Sequence, residues 1–276
     1  MSPAGRGAGV IAALGVVPIA FLLLLFLVPV LRFLMLSVEG GSLAHFEKAL
    51  TDGLHVVVFA ETLKIAAVVT LSCLLLGYPL SYWLATTAPL WRSFGFAFLL
   101  LPFWISVLVR TYAWMILLGR NGVVNRNLMA LGIIDAPLPL LHNTTGVVIG
   151  MVHVLLPYMV FPLYAVMRRM DPALLSAAEG LGAPGWQVMR RVYFPLTLPG
   201  VLSGATLVFV ISLGFFITPA LLGGGRVLMI GVLIERQVRQ YLDWGLAAAL
   251  AIVVLGVALA IYAALRRLLK EDLQWT

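Results

Sequence analysis

The sequence predicts an all-α membrane protein with six transmembrane helices, and three observations carry that prediction. Hydrophobic residues fill 62% of the 276 positions, charged residues only 11%, and the mean hydropathy is +1.08. A water-soluble domain carries about 25% charged residues, and this chain folded in water would expose apolar patches beyond the few hundred Å² that a monomer tolerates. The apolar residues are gathered into runs of roughly 20 positions, the length that crosses about 30 Å of hydrocarbon. Most of the basic residues fall between these runs.

The runs of span length are Val10–Leu36, Thr62–Thr86, Phe94–Leu118, Thr145–Val166, Val201–Leu222 and Leu246–Leu265. The first is too long for a signal-peptide core and no Ala-x-Ala cleavage site follows it, so it is expected to remain as a helix. An even number of spans puts both termini on one side. With the N-terminus in the cytoplasm, nine of the 18 basic residues lie inside: Arg6, Arg92, Arg168, Arg169, Arg190, Arg191, Arg266, Arg267 and Lys270. Of the other nine, Arg32, Lys64 and Arg110 sit in or at the ends of spans, which leaves six outside. The positive-inside tendency therefore leans toward cytoplasmic termini. In domain terms, residues 1–57 read as an N-terminal helix with an outer loop, 58–267 as the transmembrane core and 268–276 as a cytoplasmic tail.

Within the spans, Gly146 with Gly150 and Gly200 with Gly204 are small-xxx-small pairs that let helix backbones approach, either inside the chain or between subunits. Pro157 and Pro162 in the fourth span, and Gly214 with Pro219 in the fifth, are expected to kink or break their helices. Backbone groups freed in lipid need protein or a water-filled path to satisfy them. Such breaks fit a transport path, as in transporters with discontinuous helices, and equally a packing kink.

The long connection Met167–Pro199 is the most informative stretch. Asp171 suits an N-cap and Pro172 the first helical position. A short helix is expected over Ala173–Leu181, with Gly182 as its stop. Pro184 can open a second helix to about Val192, which Pro195 and Pro199 should end. Leu174, Leu175, Leu181 and Trp186 must then bury against something that is not lipid tail. A segment lying at the membrane surface, its arginines on anionic lipid, and a docking surface for a cytoplasmic partner both satisfy this.

Several chemistries lack their residues. The net charge of +7 does not point to nucleic acid, because the basic residues lie between spans and not on a soluble face. A phosphate-binding loop needs Gly-Lys-Ser/Thr, whereas Lys48, Lys64 and Lys270 follow Glu, Leu and Leu. His45, His55, His142 and His153 have no metal-ligand spacing, Cys73 is the single cysteine, and the Gly-x-Ser-x-Gly nucleophile turn is absent. No catalytic residue, metal site or cofactor is expected, and the chain reads as a non-enzyme. His153 reads as a hydrogen-bonded packing residue in its span. Arg110 must face protein or water, or snorkel, since a mid-span arginine costs about 2.5–3.5 kcal/mol on insertion scales. It reads either as a path residue or as an interfacial arginine between the belt residues Tyr112 and Trp114.

The long connection resembles the EAA loop of binding-protein-dependent ABC importers: Ala177, Ala178, Gly182, Val192, Phe194 and Pro195 stand at the matching offsets. Ser176 replaces the usual acidic residue, and Glu179 follows three residues later. Leu101–Trp114, Ser212–Gly225, Leu228–Gly231 and Asp243-Trp244 look like spermidine/putrescine-type permeases, so that the resemblance covers about Glu61–Arg267. It implies a type I importer permease fold in the bacterial inner membrane, partnered by a second permease, a cytoplasmic ATPase dimer and a soluble substrate-binding protein. It also implies that Ser176–Ala183, with Glu179 and Leu181, forms the ATPase-coupling helix, and that Val192–Pro195 anchors it to the fifth span. Glu61, Arg110, Tyr112, Trp114, Phe215, Phe216 and Asp243 are the candidate path residues. A polyamine is the implied solute; iron, phosphonate or an organic anion, and a stand-alone secondary transporter, remain as alternatives.

Overall fold

A computed structural model describes residues 4–272, and the basic residues Arg6, Arg266, Arg267 and Lys270 lie outside the described side chains, as does the tail predicted at 268–276. The described residues are almost wholly helical. In order they form α1 (Ala4–Met35), α2 (Ala44–Thr51), α3 (Gly53–Thr86), α4 (Pro89–Trp104), α5 (Val107–Leu118), α6 (Val123–Ala130) and α7 (Thr144–Arg169). There follow α8 (Pro172–Gly180), α9 (Gly185–Val188), α10 (Phe194–Leu213), α11 (Ile217–Leu222), α12 (Ile230–Arg236) and α13 (Trp244–Asp272). Five stretches are long and apolar enough to cross a membrane: Pro18–Val38, Gly53–Thr86, Thr144–Arg169, Gly185–Leu213 and Trp244–Ala264. The bent pair Pro89–Trp104 and Val107–Ala130 makes a sixth when counted as one broken span.

The chain divides into two compact units. One is built from the chain up to Gly53 together with Ile234–Val253, the other from Leu54–Leu233 and the chain from Val254 onward. In the first unit, α1 exposes Phe21–Phe26 along its length, the face that lipid rewards. Asp243 caps α13: its Oδ1 accepts from the Leu246 N–H at 2.9 Å. His45 and Lys48 of α2 stand 4.0 and 3.8 Å from the same carboxylate, and Trp244 packs edge-on against Phe33.

The second unit is organised around α7 and α10. A Cβ on Gly204 would lie 2.8 Å from Met159 Sδ and 3.0 Å from the Met159 carbonyl, and one on Gly200 would lie 3.2 Å from Leu163 Cα. The two helices therefore cross almost backbone to backbone, the geometry that small-xxx-small pairs permit. This pair serves packing within the chain. Ile65, Val69 and Cys73 of α3 join Met151, Leu155, Met159 and Leu163 of α7 in the buried cluster. Beside it, Thr62 Oγ1 donates to the Val58 carbonyl and accepts from the Ile230 N–H, as burial requires, whereas Thr218 Oγ1 is buried with no partner among the described residues.

Three details of the sequence reading are corrected, while the break expected at Gly214 is present. The run Phe94–Leu118 is not one helix: it breaks at Ile105–Ser106 with a bend of 102°. Pro102 withholds one N–H from the last turn of α4, and Ile105 and Ser106 take extended backbone. The run Val201–Leu222 breaks after Leu213, where Gly214 caps α10, and Ile217–Leu222 is a separate short helix. By contrast α7 runs unbroken through Pro157 and Pro162. The helix begun after Pro184 does not end at Pro195 or Pro199; α9 passes through a π-turn at Met189–Tyr193 directly into α10. There the Phe194 N–H donates to the Met189 carbonyl, five residues back, a wider turn that accommodates the donor missing at Pro195.

Candidate functional site

Two places carry the candidate residues. The first is the connection between α7 and α10. Asp171 Oδ1 accepts from the Ala173 N–H at 2.9 Å and starts α8, satisfying one orphan donor of the first turn. At the other end Gly182 has φ +84°, the Gly182 N–H donates to the Glu179 carbonyl at 2.9 Å, and the Ala183 N–H reaches the Ala178 carbonyl at 3.2 Å. This is a Schellman cap, which turns the chain sharply toward Pro184 and α9. Ser176 Oγ is used within the helix, donating to the Pro172 carbonyl.

The connection holds its apolar residues outward. Leu181, at the tip, is 90% exposed and Trp186 is 62% exposed, with Leu174 and Met189 also exposed. Arg168 and Arg169 at the end of α7, and Arg190 and Arg191 before α10, are exposed as well. Beneath, Val188 and Tyr193 are buried, Tyr193 meeting Tyr82 edge to face and Phe194 lying 5.9 Å from Tyr78. Tyr78 shares a hydrogen bond with Thr197. Of the residues expected to anchor the loop, Val192 is half-buried, whereas Phe194 and Pro195 are exposed; the buried anchor is Tyr193, between them.

The second place is where two broken helices meet. A cleft of about 420 Å³ opens at the α4–α5 break, lined by Phe103, Trp104, Ser106, Val107, Arg110 and Tyr158 among others. A smaller cavity of about 200 Å³ lies at the α10–α11 break, lined by Gly214, Phe215, Phe216, Ile217 and again Val107. Arg110 Nη1 donates to the Pro102 carbonyl at 2.6 Å, a carbonyl at the end of α4 where a cation also meets the favourable end of the helix dipole. Its Nε is buried without a hydrogen-bond partner among the described residues. Trp114 Nε1 donates to His153 Nδ1 at 3.0 Å, so His153 is a packing acceptor.

The breaks thus bring Arg110, Phe215 and Phe216 around Val107. The other candidates make contacts of their own. Glu61 pairs with Lys64 at 3.3 Å on an exposed face of α3, Tyr112 is exposed, Trp114 is turned to His153, and Asp243 caps α13. Ser106, Trp104 and Tyr158 line the cleft without having been singled out. The available signal was Pro102 followed four residues later by Ser106, a stop and a start inside one apolar run.

Comparison with known proteins gives concordant results. Residues 8–271 match the family described as binding-protein-dependent transport system inner membrane component. The spermidine/putrescine transport system permease protein PotB of Salmonella typhimurium strain SL1344 is 39% identical over 225 residues, 80% of this chain and 78% of the relative. PotB of Escherichia coli K12 is 38% identical over 228 residues, 82% of this chain and 83% of the relative. A chain from the crystal structure of a bacterial alginate ABC transporter, in complex with alginate pentasaccharide-bound periplasmic protein, superposes with a TM-score of 0.73. It is 20% identical, and the match covers 95% of this chain and 93% of that one.

Proposed function

The chain belongs to the family of binding-protein-dependent transport system inner membrane components, and from that premise we propose that it carries a polyamine inward, driven through its α7–α10 connection by a separate ATPase. It is a multi-pass inner-membrane permease subunit of an ABC importer. The finer reading adds a second permease, a cytoplasmic ATPase dimer, a soluble substrate-binding protein and cytoplasmic termini. In it, residues 58–267 form the translocating core.

One observation carries the coupling role: a capped helix presents Leu181 almost fully to solvent in a connection that also exposes four arginines, and a short turn joins it to a stretch, Gly185–Leu213, long and apolar enough to span a membrane. An apolar tip outside the bilayer needs a protein groove to cover it. Continuity from Gly185 to Leu213 lets a push on the loop move the span as a rod, the rigid-body type of switching. Ala177 and Ala178 let α8 seat closely in such a groove.

Polyamine as solute is supported by the two PotB relatives. Arg110, which would repel a polycation, is engaged by the Pro102 carbonyl, and Phe103, Trp104 and Tyr158 offer aromatic faces of the kind that hold ammonium groups. A second reading, an anionic solute, draws on the unpartnered Arg110 Nε. Reconstitution with the second permease, the ATPase and the binding protein decides between them. Putrescine- or spermidine-loaded binding protein is expected to stimulate ATP hydrolysis; stimulation only by an anion-loaded one would remove the polyamine reading. ATP hydrolysis that no loaded binding protein stimulates would remove the importer assignment of partners.

A further inference from the structure

A basic pocket lies at the end of α7 opposite the coupling loop. It has a volume of about 520 Å³ and is lined by Arg120, His142 and Arg226 set among Leu118 and the Pro137–Leu141 segment. Among the described residues the lining carries no carboxylate, and neither arginine has an ion-pair partner. The pocket wall leads straight into α7 at Thr144, whereas the coupling loop leaves α7 at Arg169. The 26 residues of α7 rise about 39 Å, enough to cross the hydrocarbon, so the two features lie at opposite membrane faces.

The pocket is built, not incidental. Asn125, fully buried, donates from Nδ2 to the Leu138 carbonyl at 3.0 Å and accepts at Oδ1 from the Leu138 N–H at 2.9 Å, which clamps the proline-flanked wall. The His142 N–H donates to the Leu222 carbonyl at 2.9 Å, tying that wall to the glycine turn that carries Arg226. His142 holds φ 59° and Gly224 φ 55°. A Cβ on Gly224 would fall 2.1 Å from His142 Nδ1, so only glycine fits there. Left-handed backbone at a non-glycine residue persists where the surroundings enforce it.

We propose that this pocket receives an acidic side chain of the soluble substrate-binding protein when that protein docks on the outer face. The inference rests on the importer reading above. Charge selects the occupant: two guanidiniums at the mouth repel a polycationic cargo, so the pocket is not a station for the solute. The planar forks of Arg120 and Arg226 match a carboxylate. Arg120 and Arg226 are both exposed, so a carboxylate can reach them from outside the chain and the pair is screened by salt. Such contacts steer docking and its salt dependence more than they alter the later chemistry.

The test uses the complete transporter in nanodiscs with the binding protein that stimulates the wild-type complex, and it reads stimulated ATP hydrolysis against binding-protein concentration. Arg120→Gln/Arg226→Gln is expected to raise the half-saturating concentration roughly ten-fold with the maximal rate unchanged, and to flatten its dependence on ionic strength. Arg120→Glu/Arg226→Glu should raise it further. Half-saturation and salt dependence equal to wild type in both variants would overturn the proposal. A shift seen only in nanodiscs holding anionic lipid would assign the pocket to a headgroup and overturn it too. Wild-type complex that no binding protein stimulates would instead remove the importer reading, an outcome distinct from either.

Discussion

Gly182 offers the sharpest test of the coupling loop, because its role can be separated into backbone and side chain. Its φ of +84° lies in the left-handed region, yet a Cβ placed there meets nothing within 4 Å. Substitution therefore acts through conformation alone. Forcing a residue with a Cβ into that region costs about 1–2 kcal/mol, and two cap hydrogen bonds, from Gly182 and Ala183 to Glu179 and Ala178, are lost if the loop relaxes instead. A shift of about 1–2 kcal/mol lowers the population of the docked loop shape by a factor of roughly 5–30. Gly182→Ala should fall in that range, Gly182→Val below it, and Gly182→Asn, which tolerates left-handed backbone, should stay near wild type. Gly182→Arg adds bulk at the tip and should abolish transport while the protein stays in the membrane. The assay is uptake of labelled putrescine at limiting ATPase, normalised to permease recovered in membranes. Equal loss in the Ala and Asn variants would refute the backbone argument; normal uptake by Gly182→Arg would remove the coupling assignment itself.

Three other outcomes are expected. Gly204→Leu drives a side chain into Met159, whose atoms already stand 2.8–3.3 Å from an added Cβ; overpacking of this kind costs about 1–3 kcal/mol or more, read as a lowered melting temperature in detergent. Arg110→Met removes the charged donor from the Pro102 carbonyl, which keeps only the Ile105 N–H at 3.3 Å, a loss of about 1.5–3 kcal/mol, whereas Arg110→Lys, which keeps a donor, should lose less; thermal stability of the purified protein compares them. Asp243→Ala removes the α13 cap at a cost of about 0.5–2 kcal/mol, and Asp243→Asn, itself a good cap, should restore most of it. Uptake lost in Asp243→Asn with stability intact would instead return Asp243 to the solute path.

Much of this was legible in the sequence because the decisive physics is local. Span length follows from the bilayer, and both ends of α8 follow from Asp171 and Gly182, whose capping chemistry acts within a few residues. The misses lie where distant residues decide. A run such as Phe94–Leu118 looks continuous to any count of apolar residues, because Pro102 and Ser106 are diluted in it. What holds the bend is Arg110, eight residues on, reaching back to the Pro102 carbonyl. Pro195 reads as a stop by the usual rule, but the π-turn before it removes the conflict. Asp243 has the composition of a mouth carboxylate, and its capping role was readable from its place just before the last apolar run. Tyr193 is buried in edge-to-face contact with Tyr82, a partner more than a hundred residues away that no local pattern reveals.

The arrangement of continuity and breakage carries a mechanical consequence. Helix α10 is joined without interruption to the exposed loop at one end and interrupted at Gly214 at the other. It is locked to α7 by the glycine contacts, so the two move together or not at all; packed cores of this kind are bistable and do not deform smoothly. Under the coupling role proposed above, a displacement imposed at the loop would reach the first place where the helix is not continuous. That place is the Gly214–Phe216 turn, which shares Val107 with the break in α4–α5. Under the same proposal, two interruptions that share a lining residue are where such a push would open or close a passage, because broken backbone is tolerated in lipid only against protein or water.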